Sequence, residues 1–203
     1  MREVYSQRYR MWKAQIDLKT CIDCKARHGK IYENSQQIPK KPPLHDRCRC
    51  DIVLLKAKYA GTATYKGLQG ADFWLKEYGK LPKYYISRQE ARNAGWVALL
   101  GNLYLVLPGK MIFGGIYENR NEHLPTAPGR IWYEADINYI ARWRDFARIV
   151  FSNDGLIFVT YDHYITFYEK VKTFLEIYVR IIMDKIVIYY RYEVFNGDQP
   201  SFF

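Results

Sequence analysis

Outside residues 21–50 this chain of 203 residues has no cysteine. Scattered disulfides would spread cysteines along the sequence, so the four present, Cys21, Cys24, Cys48 and Cys50, mark a local site instead. No apolar run approaches the ~18 residues needed to span a bilayer. The most hydrophobic stretch, FLEIYVRIIMDKIVIYY, is broken by Glu176, Arg180, Asp184 and Lys185. The opening MREVYSQRYRMWKAQ lacks the apolar core of a signal peptide and reads as a polar helix. These absences predict a chain that is cytoplasmic as synthesised and has no membrane partner. Internal repeats and low-complexity tracts are also missing. Acidic residues are in deficit, 21 against 31 basic, which leaves a formal net charge of +10.

What is abundant points to a polyanion. Aromatic residues make up 17%, with 19 tyrosines among them. Positive charge interleaved with aromatic rings suits stacking on unpaired bases better than reading a duplex groove, so a nucleic acid is the expected partner, ahead of an anionic membrane surface. A hydrophobic content of 49% excludes a disordered chain.

The composition divides the chain into four segments: a Cys/His-rich module over 1–55, a linker over 56–70 with little periodicity, a larger domain over 71–169, and an extension over 170–203. ADFWLKEYGK predicts a helix ending at Gly79. Ser87 with Glu90 three residues on predicts a capped helix start. RIWYEADIN, ARIVFS and LIFVTYDHYITFY read as strands. Helices followed by an antiparallel sheet give an α+β fold. The extension reads as one helix, VKTFLEIYVRIIMDK, and one strand, IVIYYRYEVF.

RIWYEADINYIARWRDFAR places Glu134 and Asp136 on one face of a strand and then supplies Arg142, Arg144 and Arg148. Alternation along YDHYITFYE puts His163 on one face of its strand, with Asp162 and Tyr164 on the other. A carboxylate, an imidazole and several guanidiniums can cleave RNA without a metal. The carboxylate takes the proton of a ribose 2′-OH, the histidine protonates the leaving 5′-oxygen, and the arginines neutralise the phosphoryl oxygens. Each residue alone has a plainer reading: a packed histidine, or acids on a solvated face.

LPKYYISRQEARNAGWVALLGNLYLVLPGK, GGIYENRNEHLPTAPGRIWYEADINY, RIVFSNDGLIF and DHYITF, in this order, resemble the barnase-like bacterial ribonucleases over about 72–168. The resemblance implies helices packed on an antiparallel sheet. It implies Glu134 as general base, His163 as general acid, and Arg144 and Arg148 as phosphate-binding residues. Arg88 stands where that family has a lysine. Asp136 matches an acid that pairs with the arginines, and Arg142 matches no functional residue. Tyr117, Asn119, Arg120 and Tyr164 match the base-binding set, the two tyrosines flanking the base, and Asn121 falls at its remaining position. Asn121 replaces a glutamate, which puts guanine preference in doubt, and Gly155 replaces a tryptophan, which should loosen packing. An acidic, barstar-like inhibitor is the implied partner of a toxin of this kind.

Cys21-x2-Cys24 followed by His45-x2-Cys48-x-Cys50 has the spacing of a structural zinc site with four ligands chosen from five, and His28 is a further candidate. Two disulfides or free thiols are the alternatives. The same pattern resembles the C-terminal signature of phage head-morphogenesis (minor head) proteins. That resemblance implies a toxin tied to phage-derived delivery components, delivered into a target cell or associated with a virion. A structural head protein with an inactive nuclease-like half, or a nonspecific RNA-binding module, are the competing readings. An acid at a phosphate site favours the enzyme, because it repels a ligand that is merely bound.

Overall fold

The computed structural model describes residues 3–172. Its nine strands are β1 (Val4–Ala14), β2 (Ile31–Glu33), β3 (Cys50–Tyr59), β4 (Tyr85–Ser87), β5 (Met111–Tyr117), β6 (Trp132–Asp136), β7 (Arg148–Ser152), β8 (Ile157–Thr160) and β9 (Tyr168–Val171). They form one sheet in the order β2-β1-β3-β9-β8-β7-β6-β5-β4. The fold is α+β with few helices: α1 (Ile22–Arg27), α2 (Ala71–Tyr78), α3 (Arg88–Asn93) and α4 (Leu103–Val106). The sheet is mixed where an antiparallel one was expected, because β3–β9 and β4–β5 run parallel.

Local chemistry explains α2 and α3. Gly79 closes α2 at φ 66°, a left-handed conformation that costs glycine little, and its N–H reaches Leu75 O at 3.2 Å. At α3 the Ser87 hydroxyl accepts from the Glu90 N–H, and the Glu90 carboxylate accepts from the Ser87 N–H at 2.7 Å. α2 buries Ala71 and Leu75 against Ala135, Ile137, Ile149 and Val159. The opposite face holds Trp132, Val150, Phe158 and Phe167 with Tyr9 and Leu55 from the N-terminal strands. Burying each such large side chain contributes roughly 1.5–3 kcal/mol, so β1 and β3 belong to the core of this unit.

The helix expected at the N-terminus is a strand. Its buried residues are Ser6, Tyr9, Trp12 and Ala14, and the first three stand three apart, which imitates helical spacing. A bulge in the β1–β3 pairing between Tyr5 and Arg10 produces that spacing by breaking strict alternation. The stretch read as a linker is ordered: residues 56–59 lie in β3, and Asp72 grips the turn after it. Its carboxylate accepts from the N–H groups of Gly61 at 2.8 Å and Ala63 at 3.0 Å. The ammonium of Lys170, fully buried like Asp72, lies 3.4 Å from the same oxygen.

LIFVTYDHYITFY is two strands rather than one. Asp162 accepts from the N–H groups of Ile165 and Thr166 and from the hydroxyl of Thr160, wrapping the chain into a turn between β8 and β9. Most of the helix and the whole of the strand expected in the extension fall in 173–203, outside the described residues; 170 and 171 belong to β9.

Candidate active site

β6 carries Glu134 between β5 and β7, opposite Gly115 and Val150. The β5–β6 register shifts between Phe113 and Gly115, so Gly114 is the extra residue of a bulge. A Cβ at Gly114 would come 2.5 Å from Glu134 Oε1 and 2.7 Å from its Cγ. Only glycine leaves room for the Glu134 side chain to lie across β5. There the carboxylate is held from two sides. Arg88, the first residue of α3, donates through Nη2 to Oε1 at 2.9 Å, and the Tyr164 hydroxyl donates to Oε2. The Glu134 side chain keeps 12% of its surface exposed. A carboxylate has about four lone-pair sites, so these two bonds leave it able to accept a proton.

One residue pair along β6, Asp136 is 1% exposed. Arg144 forks onto it, Nε to Oδ2 at 2.5 Å and Nη2 to Oδ1 at 2.6 Å. Arg148 Nε lies 3.2 Å from Oδ1, and its Nη1 donates to the carbonyls of Asp145 and Ala147, both at 2.6 Å. Planar fork-to-carboxylate pairing fixes a guanidinium in orientation as well as position. Burial works against the charge of Arg144; the Asp136 bonds outweigh it and raise its pKa above the ordinary value. Arg142, by contrast, is exposed.

His163 stands in the β8–β9 turn at φ 56°, not on a strand face, and Tyr164 follows at φ 70°. The His163 N–H bonds Phe146 O at 3.3 Å. Its ring sits between Phe146, centroid 5.6 Å away, and Tyr164 at 4.8 Å. Tyr164 therefore links the imidazole to Glu134: its ring touches the first and its hydroxyl binds the second. Burial, followed by the bond to Glu134, pushes the Tyr164 hydroxyl well above its usual range. Burial and then the Glu134 charge push Tyr117 up to about 12.

The rings of Tyr117 and Tyr164 stack on each other, centroids 4.9 Å apart and planes at 23°. A base between them would require the rings to part. Asn119 is buried, its side chain bonding both the N–H and the carbonyl of Leu124, so it shapes the loop. Arg120 and Asn121 are exposed, and Arg120 pairs with Glu118 at 2.5 Å. Gly155 turns the β7–β8 hairpin at φ 90°, with open space where a Cβ would stand.

Two contributors escaped the sequence reading. Gly114 is one; GG in a strand pattern is a bulge signal that could have found it. His123 is the other. Its Nδ1 lies 3.2 Å from Tyr164 O, tying the loop after β5 to the His163 turn, and burial lowers its pKa. Elsewhere, Cys21, Cys24, His45, Cys48 and Cys50 converge at the start of α1 and of β3, all four cysteines free of disulfides. His28 stands apart, its Nδ1 taken by the Ala14 N–H at 3.1 Å. Among the described residues no helix is long and apolar enough to cross a membrane.

Comparison with known proteins falls on the same stretch. A family model described as ribonuclease matches residues 75–170. A ribonuclease of Heyndrickxia coagulans is 47% identical over 105 residues, which is 52% of this chain and 96% of that protein. Ribonucleases of Bacillus intermedius and Bacillus pumilus are equally similar over 105 residues, which is 65% of the length of each.

Proposed function

Because the chain belongs to this ribonuclease family, we propose that residues 71–169 form an endoribonuclease domain that cleaves single-stranded RNA without a catalytic metal, leaving 2′,3′-cyclic phosphate ends. The observation that carries the reading is the clamping of Glu134 between Arg88 and Tyr164, whose neighbour is His163.

In this reading Glu134 takes the proton from the 2′-OH, and the oxygen attacks the adjacent phosphorus. His163, protonated, gives its proton to the departing 5′-oxygen. Arg144, Arg148 and Arg88 bind the phosphoryl oxygens as charge builds on them. Asp136 is a positioning residue: it holds two guanidiniums in place, so little reorganisation accompanies the transition state. Tyr117, Tyr164 and Arg120 receive the base. Asn121 offers a neutral amide to the base edge, where a carboxylate would bind guanine more tightly.

A basic ribonuclease harms the cell that makes it, so the biological role that fits is a toxin with an acidic, barstar-like inhibitor whose carboxylates stand in for the phosphates. The TCIDC…CRC motif supports a phage-derived delivery setting by its resemblance alone.

The test is the purified chain on saturating RNA with EDTA present, beside Glu134→Gln and His163→Ala, with the ends of the products analysed. Cleavage to cyclic phosphate by the parent, reduced at least about 100-fold in both variants, is expected. Intact RNA with the parent removes the proposal, and equal cleavage by all three removes the roles.

A further inference from the structure

Five candidate ligands from two distant stretches of the chain meet at one point. Cys21 Sγ lies 3.2 Å from His45 Nε2, Cys24 Sγ lies 3.5 Å from the same nitrogen, and Cys24 Sγ lies 3.7 Å from Cys48 Sγ. The donor atoms fall into two overlapping triads, Cys21-Cys24-His45 and Cys24-Cys48-Cys50, each within 4.8 Å, with Cys24 common to both. Bonds of about 2.3 Å to sulfur and about 2.0 Å to nitrogen at tetrahedral angles give edges of about 3.7 Å between sulfurs and about 3.5 Å from sulfur to nitrogen. The distances match those edges and exceed the roughly 2.05 Å of a disulfide. The surroundings suit a metal as well. His45 Nδ1 lies 2.6 Å from Asp46 O, a bond that places the proton on Nδ1 and leaves the Nε2 lone pair facing the sulfurs. The Cys24 N–H points at Cys21 Sγ, 3.4 Å away. Arg49 forks onto Asp17 at 2.6 and 2.7 Å, which ties the two ligand-bearing loops together.

The helix that begins at this cluster ends at the substrate loops. α1 starts after Cys21 and stops at His28, and the chain continues as Gly29-Lys30-Ile31. Gly29 N–H and Lys30 O bond the backbone of Trp12 on either side, each at 2.9 Å. Ile31 N–H bonds His123 O at 2.8 Å, and Lys30 Nζ pairs with Glu122 at 2.8 Å, both in the base-binding loop. Gly29, at φ 86°, packs so closely that a Cβ would come 3.3 Å from Ile165 O in the His163 turn and 3.4 Å from the His123 ring. This three-residue strap touches both loops that frame the substrate.

We propose that four of these five groups, Cys24 always among them, bind one zinc ion, and that the ion governs RNA affinity at a distance by anchoring the Gly29–Ile31 strap against the base-binding loop and the His163 turn. The ion takes no part in the chemistry. The coupling to RNA rests on the ribonuclease reading; the metal site does not.

The full-length chain, purified under reducing conditions with zinc supplied, should contain one equivalent of zinc by elemental analysis. Cys24→Ser should contain almost none. Cobalt in its place should show the absorption of tetrahedral thiolate coordination, with band positions that distinguish four sulfurs from three sulfurs and one nitrogen. Less than about half an equivalent in the parent, or full zinc in Cys24→Ser, overturns the metal site. For the coupling, the readout is the dissociation constant for a 2′-deoxy oligonucleotide, which cannot be cleaved and so reports binding even if the chain proves inactive. Stripping the zinc with a chelator should weaken that binding about tenfold while kcat on RNA changes less than about twofold. Lys30→Ala, which keeps all five ligands, should retain zinc and weaken binding in the same direction. If both leave the dissociation constant unchanged, or if only the folded fraction falls, the strap does not transmit to the substrate loops.

Discussion

The carboxylate of Glu134 lies across Gly114 so closely that even a methyl group there would overlap it, at 2.5 Å from Oε1. A bulge in β5 makes the crossing possible, and Arg88 and Tyr164 then fix the carboxylate from either side.

Gly114→Ala should therefore displace Glu134 by a fraction of an ångström to an ångström without unfolding the chain. Misplacing a reacting group on that scale costs about 100-fold, and kcat/KM on a dinucleotide substrate should fall accordingly. Overpacking should lower stability by roughly 1–3 kcal/mol. A Gly114→Ala protein with parental kcat/KM would show that the carboxylate has a free path elsewhere.

Asp136→Asn keeps the shape but removes the charge that two arginines share. Leaving buried charge unpaired costs roughly 3–5 kcal/mol, so the urea midpoint should drop sharply. Activity of the folded fraction should drop as well, because Arg144 loses its fork. A variant as stable as the parent would mean that Asp145 or solvent takes over the pairing.

Asn121→Glu should sharpen base choice, since an ionised carboxylate is a stronger acceptor for a base edge than an amide oxygen. The ratio of kcat/KM for cleavage after guanine to that after adenine should rise at least about tenfold, given the roughly 1.5–3 kcal/mol of a charge-assisted bond. An unchanged ratio would place Asn121, which is exposed, outside the base contact.

Alkaline pH should unfold the chain from about pH 10 upward. Burial pushes Tyr9, Tyr84 and Tyr117 up to about 12, and Tyr85, Tyr161 and Tyr164 are also raised. Tyrosine in the unfolded chain ionises near 10. Above that pH the unfolded state sheds protons that the folded state retains, so stability present below 10 is lost as pH climbs toward 12. Lys170 acts in the opposite sense, burial lowering it to about 8. The unfolded chain holds that proton longer, and this contribution makes stability rise between about 8 and 10.5. One lysine against six tyrosines leaves a net fall above pH 10, readable as the urea midpoint against pH. A midpoint that holds steady from pH 9.5 to 11.5 would refute the balance.

The parts of this protein legible in its sequence are those set by nearby residues. The capping box at Ser87 and Glu90 and the glycine after Tyr78 act within one turn, so α2 and α3 could be read directly. The α+β class could be read from hydrophobic patterning, while Glu134, His163, Arg144 and Arg148 are proposed as the reacting groups from residue chemistry and resemblance. Long-range pairing decided the remainder. β1 is a strand because β3 bonds along it, and the bulge between Tyr5 and Arg10 gives its buried residues helix-like spacing. His163 leaves the strand because the Asp162 side chain bonds backbone three and four residues on, outcompeting the ladder. Residues 56–70 carry no periodicity, yet Asp72 and Lys170, ninety-eight positions apart by their numbers, bury one ion pair that holds them. Local propensities are worth tenths of a kcal/mol per residue, whereas a buried charge or a filled core position is worth several times that. Where the two disagreed, the contact between distant residues prevailed.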